Sequence, residues 1–411
     1  MNLVEADAKS LLAGYGVSVP HGILLQEADP VPAHRMKGVA VKAQVLKGGR
    51  GKAGLIELVD SADDAPLDET RLDAAIDSVR RKLRAQDMPA LLLLEEKLDI
   101  RAEYYLSFLI DDRAQAPLML FSSQGGMDVE GAPPPWRLRI DPMLGLSPHS
   151  VIEFFSSARV PADVLGVLSR LAALLYRICV AEDLELLEIN PLAITAQGRL
   201  VAVDAKIILD DCAAFRHRNR DFAASRCLSL ASMTALEREA DSKRFTYIEL
   251  PGDVALMTYG AGLGMMMVDL LGDAGLRAAC FIDGSVASVG NNTEERLRIV
   301  FKRAEAPEVK AILFYQNLGT RDIKPRVDAV LKVLRETPPP KPFYFGFVAT
   351  YLAERNMTAI EACQMVSALG YKTSQEPLEL VEMIRRDCLT SVPGLEHRAP
   401  IATQQPKEQV I

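Results

Sequence analysis

The strongest constraint on the fold of this chain is a regular alternation of short apolar strands and amphipathic helices in its second half. The predicted strands lie at 253–259, 277–283, 309–315 and 342–347, with a weaker one near Tyr371. Helices are predicted at about 263–274, 293–306, 324–336, 358–369 and 376–388. Apolar strands separated by helices are typical of a parallel, doubly wound sheet covered by helices on both faces.

The first half of the chain has a mixed pattern that predicts an α+β domain. Strands are predicted at 39–46, 54–60, 91–96, 104–111 and 119–123, and helices at 70–86 and 160–182. The segment 54–60 is expected to pair with 39–46 as a hairpin. A helix is predicted to start with a capping box formed by Asn2 and Glu5, and to end at Gly14 and Gly16.

Two domains follow from this change of pattern. We expect the first to cover 1–240 and the second 245–390, with the boundary between 236 and 248. The proline-rich stretch 130–136 is predicted to be a surface excursion, and the segment 391–411 a disordered tail.

Composition excludes several classes of function. The net charge is −8 and the isoelectric point is about 5.4, which argues against general binding to nucleic acid or to an anionic membrane. The six cysteines form no C-x-x-C pair, and the first residues lack an apolar signal region. We therefore expect a soluble cytoplasmic protein with reduced thiols.

The segment 184–209, LELLEINPLAITAQGRLVAVDAKIIL, predicts a β-hairpin whose loop is Ala196-Gln197-Gly198, with Gly198 in the left-handed conformation. If the hairpin is symmetric about Gln197, the numbers of facing residues sum to 394. Asn190 then faces Asp204, and Glu188 faces Lys206 on the same side of the sheet.

Facing Cβ atoms lie about 4.5–5.5 Å apart, so one Mg²⁺ could take an oxygen from both Asn190 and Asp204. The alternative is a polar face turned to solvent, where such residues are common. A carboxylate and an amide with a second carboxylate beside them are typical of a phosphate-transfer site, which favours the metal.

A glycine-rich basic loop follows the strand at 39–46, in the sequence VKAQVLKGGRGKAG at 41–54. It is not a P-loop, because Gly51-Lys52 is followed by Ala53 and no hydroxyl is available for Mg²⁺. The loop alone is compatible with phosphate binding or with a flexible basic surface.

Several motifs in one order resemble a known family: VKAQVLKGGRGKAG, EEKLDIRAEYYL, LLEINPL, VDAK and FRHRN. Together they are similar to the β subunit of succinyl-CoA synthetase and its ADP-forming relatives. The resemblance covers nearly the whole chain to about residue 388, and it is closest over the first 220 residues. It implies an ATP-grasp fold followed by a flavodoxin-like domain.

The resemblance also implies roles in nucleotide binding. Lys42 would contact the phosphates of ATP, and GTP is not excluded. Gly49-Arg50-Gly51 would form the loop that folds over these phosphates, where glycines let the main chain approach closely. Glu95 would lie beside the adenine or ribose, and Glu103 corresponds to a second nucleotide-site glutamate.

The same resemblance identifies Asn190 and Asp204 as the Mg²⁺ ligands, in agreement with the hairpin argument. Glu188 corresponds to the glutamate that holds the family's phosphohistidine ring. That histidine belongs to an α subunit that also binds CoA through a Rossmann domain. No histidine of this chain lies in the family's G-H-A-G-A context, so we expect such a subunit to be the partner.

The chain departs from the family in the loops of the second domain that would face a small carboxylic acid substrate. Tyr259 replaces an asparagine, and the loop after Asp283 is longer and poorer in glycine. Gly319 and Thr320 lie in a third altered loop, so Tyr259, Gly319 and Thr320 are the predicted substrate residues. These changes predict an ADP-forming carboxylate–CoA ligase for an acid other than succinate.

Two alternatives remain open at this stage. One is a catalytically degenerate paralogue that binds nucleotide or acts as a scaffold. The other is an ATP-grasp ligase that forms an acyl phosphate without a partner. Retention of Lys42, Asn190 and Asp204 favours the enzyme over the degenerate paralogue.

Overall fold

The structure, a computed structural model, describes residues 1–27, 29, 38–46, 49–61, 68–126, 134–283 and 292–390 of the 411-residue chain. The predicted tail at 391–411 lies outside these residues, as does most of the predicted proline-rich excursion. The chain divides into two compact units, one spanning Met1–Ser232 and the other beginning at Met233.

The first unit consists of two α+β lobes. Its helices are α1 (Glu5–Gly14), α2 (Glu69–Arg84), α3 (Pro148–Ser157), α4 (Ala162–Ala181) and α5 (Ala223–Ser232), with a 3₁₀ helix at Asp211–Arg216. Its strands are β1 (Gly22–Leu25), β2 (Gly38–Ala43), β3 (Ile56–Asp60), β4 (Leu92–Glu96), β5 (Ile100–Asp111), β6 (Ala116–Ser122), β7 (Trp136–Arg139), β8 (Leu184–Thr195), β9 (Leu200–Ala202) and β10 (Ala205–Leu209).

The smaller lobe is an antiparallel four-stranded sheet in the order β1-β4-β2-β3. Helix α2 covers it with Leu72, Ile76, Val79 and Leu83, spaced so that they form one apolar face. The Asp68 carboxylate caps this helix by accepting a hydrogen bond from the Thr70 amide at 2.9 Å. The predicted hairpin between 39–46 and 54–60 is confirmed as β2 and β3.

The larger lobe is a six-stranded sheet in the order β10-β8-β5-β6-β7, with β9 also paired to β8. Helices α1, α3 and α4 share its hydrophobic core. Helix α4 is long and apolar enough to cross a membrane by length and composition alone. Its side chains Leu168, Ala172, Leu175 and Ile178 are buried in this core, as in many helices of globular proteins.

The predicted capping box at the first helix is wrong. Helix α1 begins at Glu5 with Val4 as its N-cap, and no side chain caps it. The Val4 amide instead donates to the Ser225 hydroxyl at 2.9 Å, and the Leu3 amide donates to the Ile207 carbonyl at 3.0 Å. The Glu5 carboxylate is directed away from the helix start because it binds buried cations.

The second unit is built around one six-stranded sheet. Its helices are α6 (Ala235–Ser242), α7 (Ala261–Asp273), α8 (Thr293–Ala304), α9 (Lys324–Glu336), α10 (Ala359–Ser367) and α11 (Pro377–Thr390). Its strands are β11 (Thr246–Glu249), β12 (Val254–Thr258), β13 (Ala278–Asp283), β14 (Ala311–Leu318), β15 (Phe343–Ala349) and β16 (Lys372–Thr373).

The sheet order is β11-β13-β12-β14-β15-β16, and every pairing is parallel except that between β11 and β13. Without β11 this is the flavodoxin-like order 2-1-3-4-5. Helices α8, α9 and α10 pack on one face, and α7 and α11 pack on the other. The predicted doubly wound parallel sheet is therefore confirmed, whereas the antiparallel edge strand β11 was not predicted.

Gly252 allows the main chain to pass close to its neighbour at the start of this sheet. A Cβ atom there would lie 2.2 Å from the Ala278 carbonyl oxygen. We expect Gly252→Ala to lower the free energy of unfolding of the second unit by about 1–3 kcal/mol, because the main chain would have to shift. Urea-dependent proteolysis of the second unit measures this loss.

The matched control is Gly272→Ala, because Gly272 is exposed in α7 and its added Cβ would contact nothing within 4 Å. This substitution should leave the stability unchanged or raise it by about 0.5–1 kcal/mol. Equal stabilities of the two variants would contradict the predicted clash.

Candidate active site

The hairpin that carries the predicted metal ligands has the predicted register. Lys206 pairs with Glu188, Ala205 with Ile189 and Ala202 with Leu192, all with residue numbers that sum to 394. The Asn190 amide donates to the Asp204 carbonyl oxygen at 3.3 Å. Gly198 has φ +77°, the left-handed conformation that the loop requires.

A cluster of six charged side chains joins this hairpin to the four-stranded sheet. It contains three carboxylates and three cations, namely Glu5, Glu95, Asp204, Lys9, Lys42 and Arg50. Four of the six are almost completely buried: Glu5, Lys9, Lys42 and Glu95. A buried charge is costly unless it is paired, so each cation stabilises the ionised form of the carboxylates that it contacts. Burial and the neighbouring Glu5 carboxylate nevertheless raise the pKa of Asp204.

Glu5 lies at the centre of this cluster. Its Oε1 accepts hydrogen bonds from Lys9 Nζ at 2.6 Å and from Lys42 Nζ at 2.8 Å. Its Oε2 lies 2.5 Å from Nη1 of Arg50. Burial alone would raise the pKa of Glu5, but the three cations outweigh it and hold the pKa well below its usual range.

Lys42, the predicted phosphate ligand, points from β2 into the cluster. Its Nζ lies 2.6 Å from Glu95 Oε2 and donates to the Val203 carbonyl oxygen at 2.9 Å. Burial would lower the pKa of Lys42, but Glu5 and Glu95 raise it above its ordinary value. Lys42 is therefore a charged ammonium group at neutral pH. It contacts the main chain of Val203, the residue directly before Asp204.

Arg50 brings the glycine-rich loop to the hairpin. Its Nη2 donates to both Asp204 oxygens, at 2.8 and 2.7 Å, and its Nη1 donates to the Ala43 carbonyl oxygen at 3.2 Å. Gly49 has φ +81°, and its carbonyl oxygen accepts from the Ala53 amide at 3.1 Å. Both bonds to Asp204 come from the same nitrogen, and they tie Arg50 to the hairpin.

Asn190 and Glu103 meet at a different place, around Gly126. The Asn190 Oδ1 accepts from the Gly126 amide at 2.7 Å, and its Nδ2 donates to the Gly126 carbonyl oxygen at 3.3 Å. Glu103 lies beside the same glycine, since a Cβ there would be 2.7 Å from Glu103 Oε2. Asn190 thus contacts Asp204 through its main chain, whereas its side chain contacts Gly126, which lies next to Glu103.

The two predicted metal ligands have different partners, because the Asp204 carboxylate binds Arg50 and the Asn190 amide binds Gly126. Asp204 already binds a positive charge through both oxygens, and the Asn190 oxygen retains a second lone pair beyond its bond to Gly126. One carboxylate and one amide oxygen suit Mg²⁺, which completes its shell with water and phosphate. Among the described residues, no group of three or more His, Cys, Asp or Glu side chains could hold a metal.

Glu188 is separated from the ion cluster. It is half-buried, and its Oε2 accepts a hydrogen bond from the Tyr105 hydroxyl at 3.3 Å. Lys206 faces it across the hairpin and Ser107 across β5. Within the described part of the chain, no hydrogen bond or ion pair links Glu188 to Lys42 or Asp204.

The predicted substrate residues lie in the second unit, where β12 and β14 end. Tyr259 follows β12 and is buried, and its hydroxyl lies 2.9 Å from the Thr293 hydroxyl. Gly319 and Thr320 directly follow β14, and the Gly319 carbonyl oxygen accepts a hydrogen bond from the Thr350 hydroxyl. β12 and β14 are neighbours in the sheet, which brings these residues to the same edge.

Sequence reasoning missed Glu5 and Lys9. Their spacing of four residues on a predicted helix suggests an ordinary exposed ion pair. The signal that could have identified them is their place among Leu3, Ala8 and Leu12, which are buried in the core of the larger lobe. A charged pair among these residues must find partners inside the protein.

Replacing Glu5 should therefore be costly. Glu5→Gln leaves Lys9, Lys42 and Arg50 with one carboxylate fewer, and we expect the free energy of unfolding of the first unit to fall by about 3–5 kcal/mol. Urea unfolding followed by fluorescence of Trp136, the single tryptophan, measures the first unit.

The control for this substitution is Glu27→Gln. Glu27 pairs with Arg84 at 2.6 Å, and both side chains are more than half exposed, so the loss should be about 0–1 kcal/mol. Similar losses for the two variants would contradict the central role of Glu5.

Comparisons with known proteins assign this chain to a family. Residues 2–194 match the ATP-grasp domain. The chain is 32% identical over 344 residues to the β subunit of an ADP-forming succinate–CoA ligase of Methanocaldococcus jannaschii, covering 82% of this chain and 88% of that protein. It is 33% identical to the corresponding subunit of Ignicoccus hospitalis, and the match covers 93% of this chain and 100% of that subunit.

One further relative agrees with this assignment, and one solved structure has a similar fold. The β subunit of a GDP-forming succinate–CoA ligase of Thermus thermophilus is 32% identical, covering 90% of this chain and 99% of that one. The fold is also similar to that of an ATP citrate lyase of Methanothrix soehngenii, with a TM-score of 0.68 and 18% identity. The match covers 94% of this chain and 99% of that one. The chain is an ATP-grasp ligase that belongs to the family of succinate–CoA ligase β subunits.

Proposed function

We propose that this chain is the β subunit of an ADP-forming carboxylate–CoA ligase. It transfers phosphate between ATP and a phosphohistidine on a partner α subunit, and the acid that becomes the acyl-CoA is not succinate. The observation that carries the proposal is the buried ion cluster, in which Lys42 and Arg50 are held beside Asp204 beneath a glycine-rich loop.

The cluster is suited to binding nucleotide phosphates, because its cations could exchange their carboxylate partners for phosphate oxygens. Arg50 bonds to Asp204, and Lys42 bonds to Glu5 and Glu95. A phosphate chain would offer both cations new anionic partners, and the main-chain amides of the loop would donate to it as well. Arg50 would then leave Asp204 and bind the phosphate being transferred, where its positive charge would stabilise the negative charge of that group.

Asn190 and Asp204 would hold the Mg²⁺ once Arg50 has left. When bound, this ion neutralises charge on phosphate oxygens. Glu188 stays apart from these groups with its carboxylate oriented by Tyr105. It would accept a hydrogen bond from the ring of the partner's phosphohistidine, a role that requires a carboxylate free of the ion cluster.

The partner would supply the CoA site as well as the histidine. The retention of Lys42, Asn190 and Asp204 favours the enzyme over a degenerate paralogue. We place the protein in the cytoplasm, since the six cysteines of the chain are free thiols.

Removing Arg50 should expose Asp204 to a metal ion. We expect Arg50→Gln to bind Mn²⁺ without nucleotide about tenfold more tightly than the wild type, because a guanidinium no longer occupies both oxygens. The same variant should bind Mn–ATP more weakly, because the phosphates lose a cationic partner. Calorimetry or the paramagnetic signal of free Mn²⁺ measures both constants.

The control is Arg84→Gln, which removes the same charge from an exposed pair with Glu27. It should change neither constant, and circular dichroism should show that both variants are folded. An Arg50→Gln protein with wild-type Mn²⁺ affinity would show that Arg50 does not occupy the cation position.

The proposed reaction is tested with the full chain, its partner subunit, CoA and Mg–ATP. We expect ADP release that depends on an added carboxylic acid, and an acid-labile phosphate on the partner's histidine. A panel of mono-, di- and tricarboxylic acids identifies the substrate. Transfer to acid without any partner would refute the phosphohistidine route, and succinate as the best acid would refute the altered specificity.

A further inference from the structure

Lys9 is a buried ammonium group that the proposed exchange of phosphate partners does not use. It is 4% exposed, and its Nζ lies 2.6 Å from Glu5 Oε1 and also contacts Glu95 Oε1. Among the residues that the structure describes, it has no other ion pair or hydrogen-bond partner. A buried charge is stable only with such partners, so any role of Lys9 involves these two carboxylates.

Lys42 contacts the same two carboxylates. Its Nζ lies 2.8 Å from Glu5 Oε1 and 2.6 Å from Glu95 Oε2. The two ammonium groups and the two carboxylates therefore alternate in a closed ring of four charges. Lys9 belongs to α1, which packs in the core of the larger lobe, whereas Lys42 belongs to β2 of the four-stranded sheet.

The two lysines of this ring differ in what else they can reach. Lys42 also donates to the Val203 carbonyl oxygen at 2.9 Å, directly before Asp204. Lys9 has no such bond to the hairpin within the described part of the chain. A ligand beside Asp204 could therefore take Lys42 as its partner, whereas Lys9 would stay with the two carboxylates.

Binding of nucleotide phosphates would change the charge balance of the ring. Three cations contact Glu5, and two of them, Lys42 and Arg50, would move to the phosphates. Glu95 would lose Lys42 and keep Lys9. Two buried carboxylates that lie close together without a cation between them favour protonation of one of the two. Lys9 is therefore the cation that decides whether both carboxylates stay ionised.

The charges around Lys9 agree with this role. They come from α1, β2, β4, the glycine-rich loop and the hairpin, and they are Glu5, Lys42, Glu95, Arg50 and Asp204. Burial lowers the pKa of Lys9, Glu5 and Glu95 oppose this shift, and Lys42 adds to it. When Lys42 moves to a phosphate, its repulsion of Lys9 falls, so the charged form of Lys9 becomes more favourable.

We propose that Lys9 is a positioning residue, which keeps Glu5 and Glu95 ionised and in place while Lys42 and Arg50 bind the nucleotide phosphates. This inference rests on the proposed function, in which these two cations exchange carboxylate partners for phosphate oxygens. Because Lys9 replaces the charge that leaves the ring, nucleotide binds without uptake of a proton. The ionised carboxylates also remain available to Lys42 and Arg50 when the nucleotide leaves.

The number of protons taken up with the nucleotide tests the proposal. Calorimetry of Mg–ATP binding to the full chain, in buffers of different ionisation enthalpy, measures this number. Between about pH 7 and 8.5 we expect the wild type to take up less than about 0.2 proton, and Lys9→Met to take up about 0.5–1. The affinity of Lys9→Met should then fall by about threefold to tenfold per pH unit, whereas that of the wild type stays nearly constant.

The matched control is Lys324→Met. Lys324 pairs with Asp328 at 2.6 Å with the same four-residue spacing as Lys9 and Glu5, but both side chains are about half exposed. It should change neither the affinity nor the proton number. The double variant Lys9→Met/Glu5→Gln removes one cation and one carboxylate together, so its proton number should return to the wild-type value. Circular dichroism confirms that each variant is folded.

Three results would overturn the proposal. They are a wild type that takes up about one proton, a Lys9→Met protein with the wild-type proton number, and a double variant with the number of the single one. A purely structural role of Lys9 would weaken binding by the same factor at every pH. If Lys9→Met does not fold, the wild type and the double variant still decide. A wild type that binds no nucleotide would refute the proposed function as well, whereas the three results above refute the role of Lys9 alone.

Discussion

The first unit depends on one buried carboxylate, that of Glu5. It contacts Lys9, Lys42 and Arg50, which belong to a helix, a strand and a loop, respectively. Helix α1 packs with the six-stranded sheet, and Lys42 is on the four-stranded sheet. The carboxylate therefore links the two lobes and the loop above them, and its charge makes it possible to bury cations that a phosphate ligand needs.

Under the proposed function, the cluster is a nucleotide site whose cations are oriented by carboxylates. Three carboxylates balance three cations, so the cluster is close to neutral when all its members are ionised. A phosphate chain would compete with Asp204 and Glu95 for cations that are already oriented, and less ordering would be needed on binding. Because Arg50 bonds to Asp204, the proposed function requires that Arg50 move to another anion before this carboxylate can bind a metal.

Some of this could be predicted from the sequence, because it depends on neighbours along the chain. The hairpin register followed from a three-residue loop, and the alternating pattern identified the doubly wound sheet. The capping box failed because Glu5 has long-range partners that no local pattern contains. The edge strand β11 and helix α3 were not predicted for a similar reason. β11 is stabilised by pairing with β13, and α3 by packing in the core of the larger lobe, and neither contact can be read from the local sequence.

The charge balance of the cluster around Glu5 has a consequence for ligand exchange. Every cation of that cluster has a carboxylate partner, so a ligand gains only the difference between two sets of bonds. Under the proposed function, such a compensated cluster suits a nucleotide that must bind and leave in each turnover.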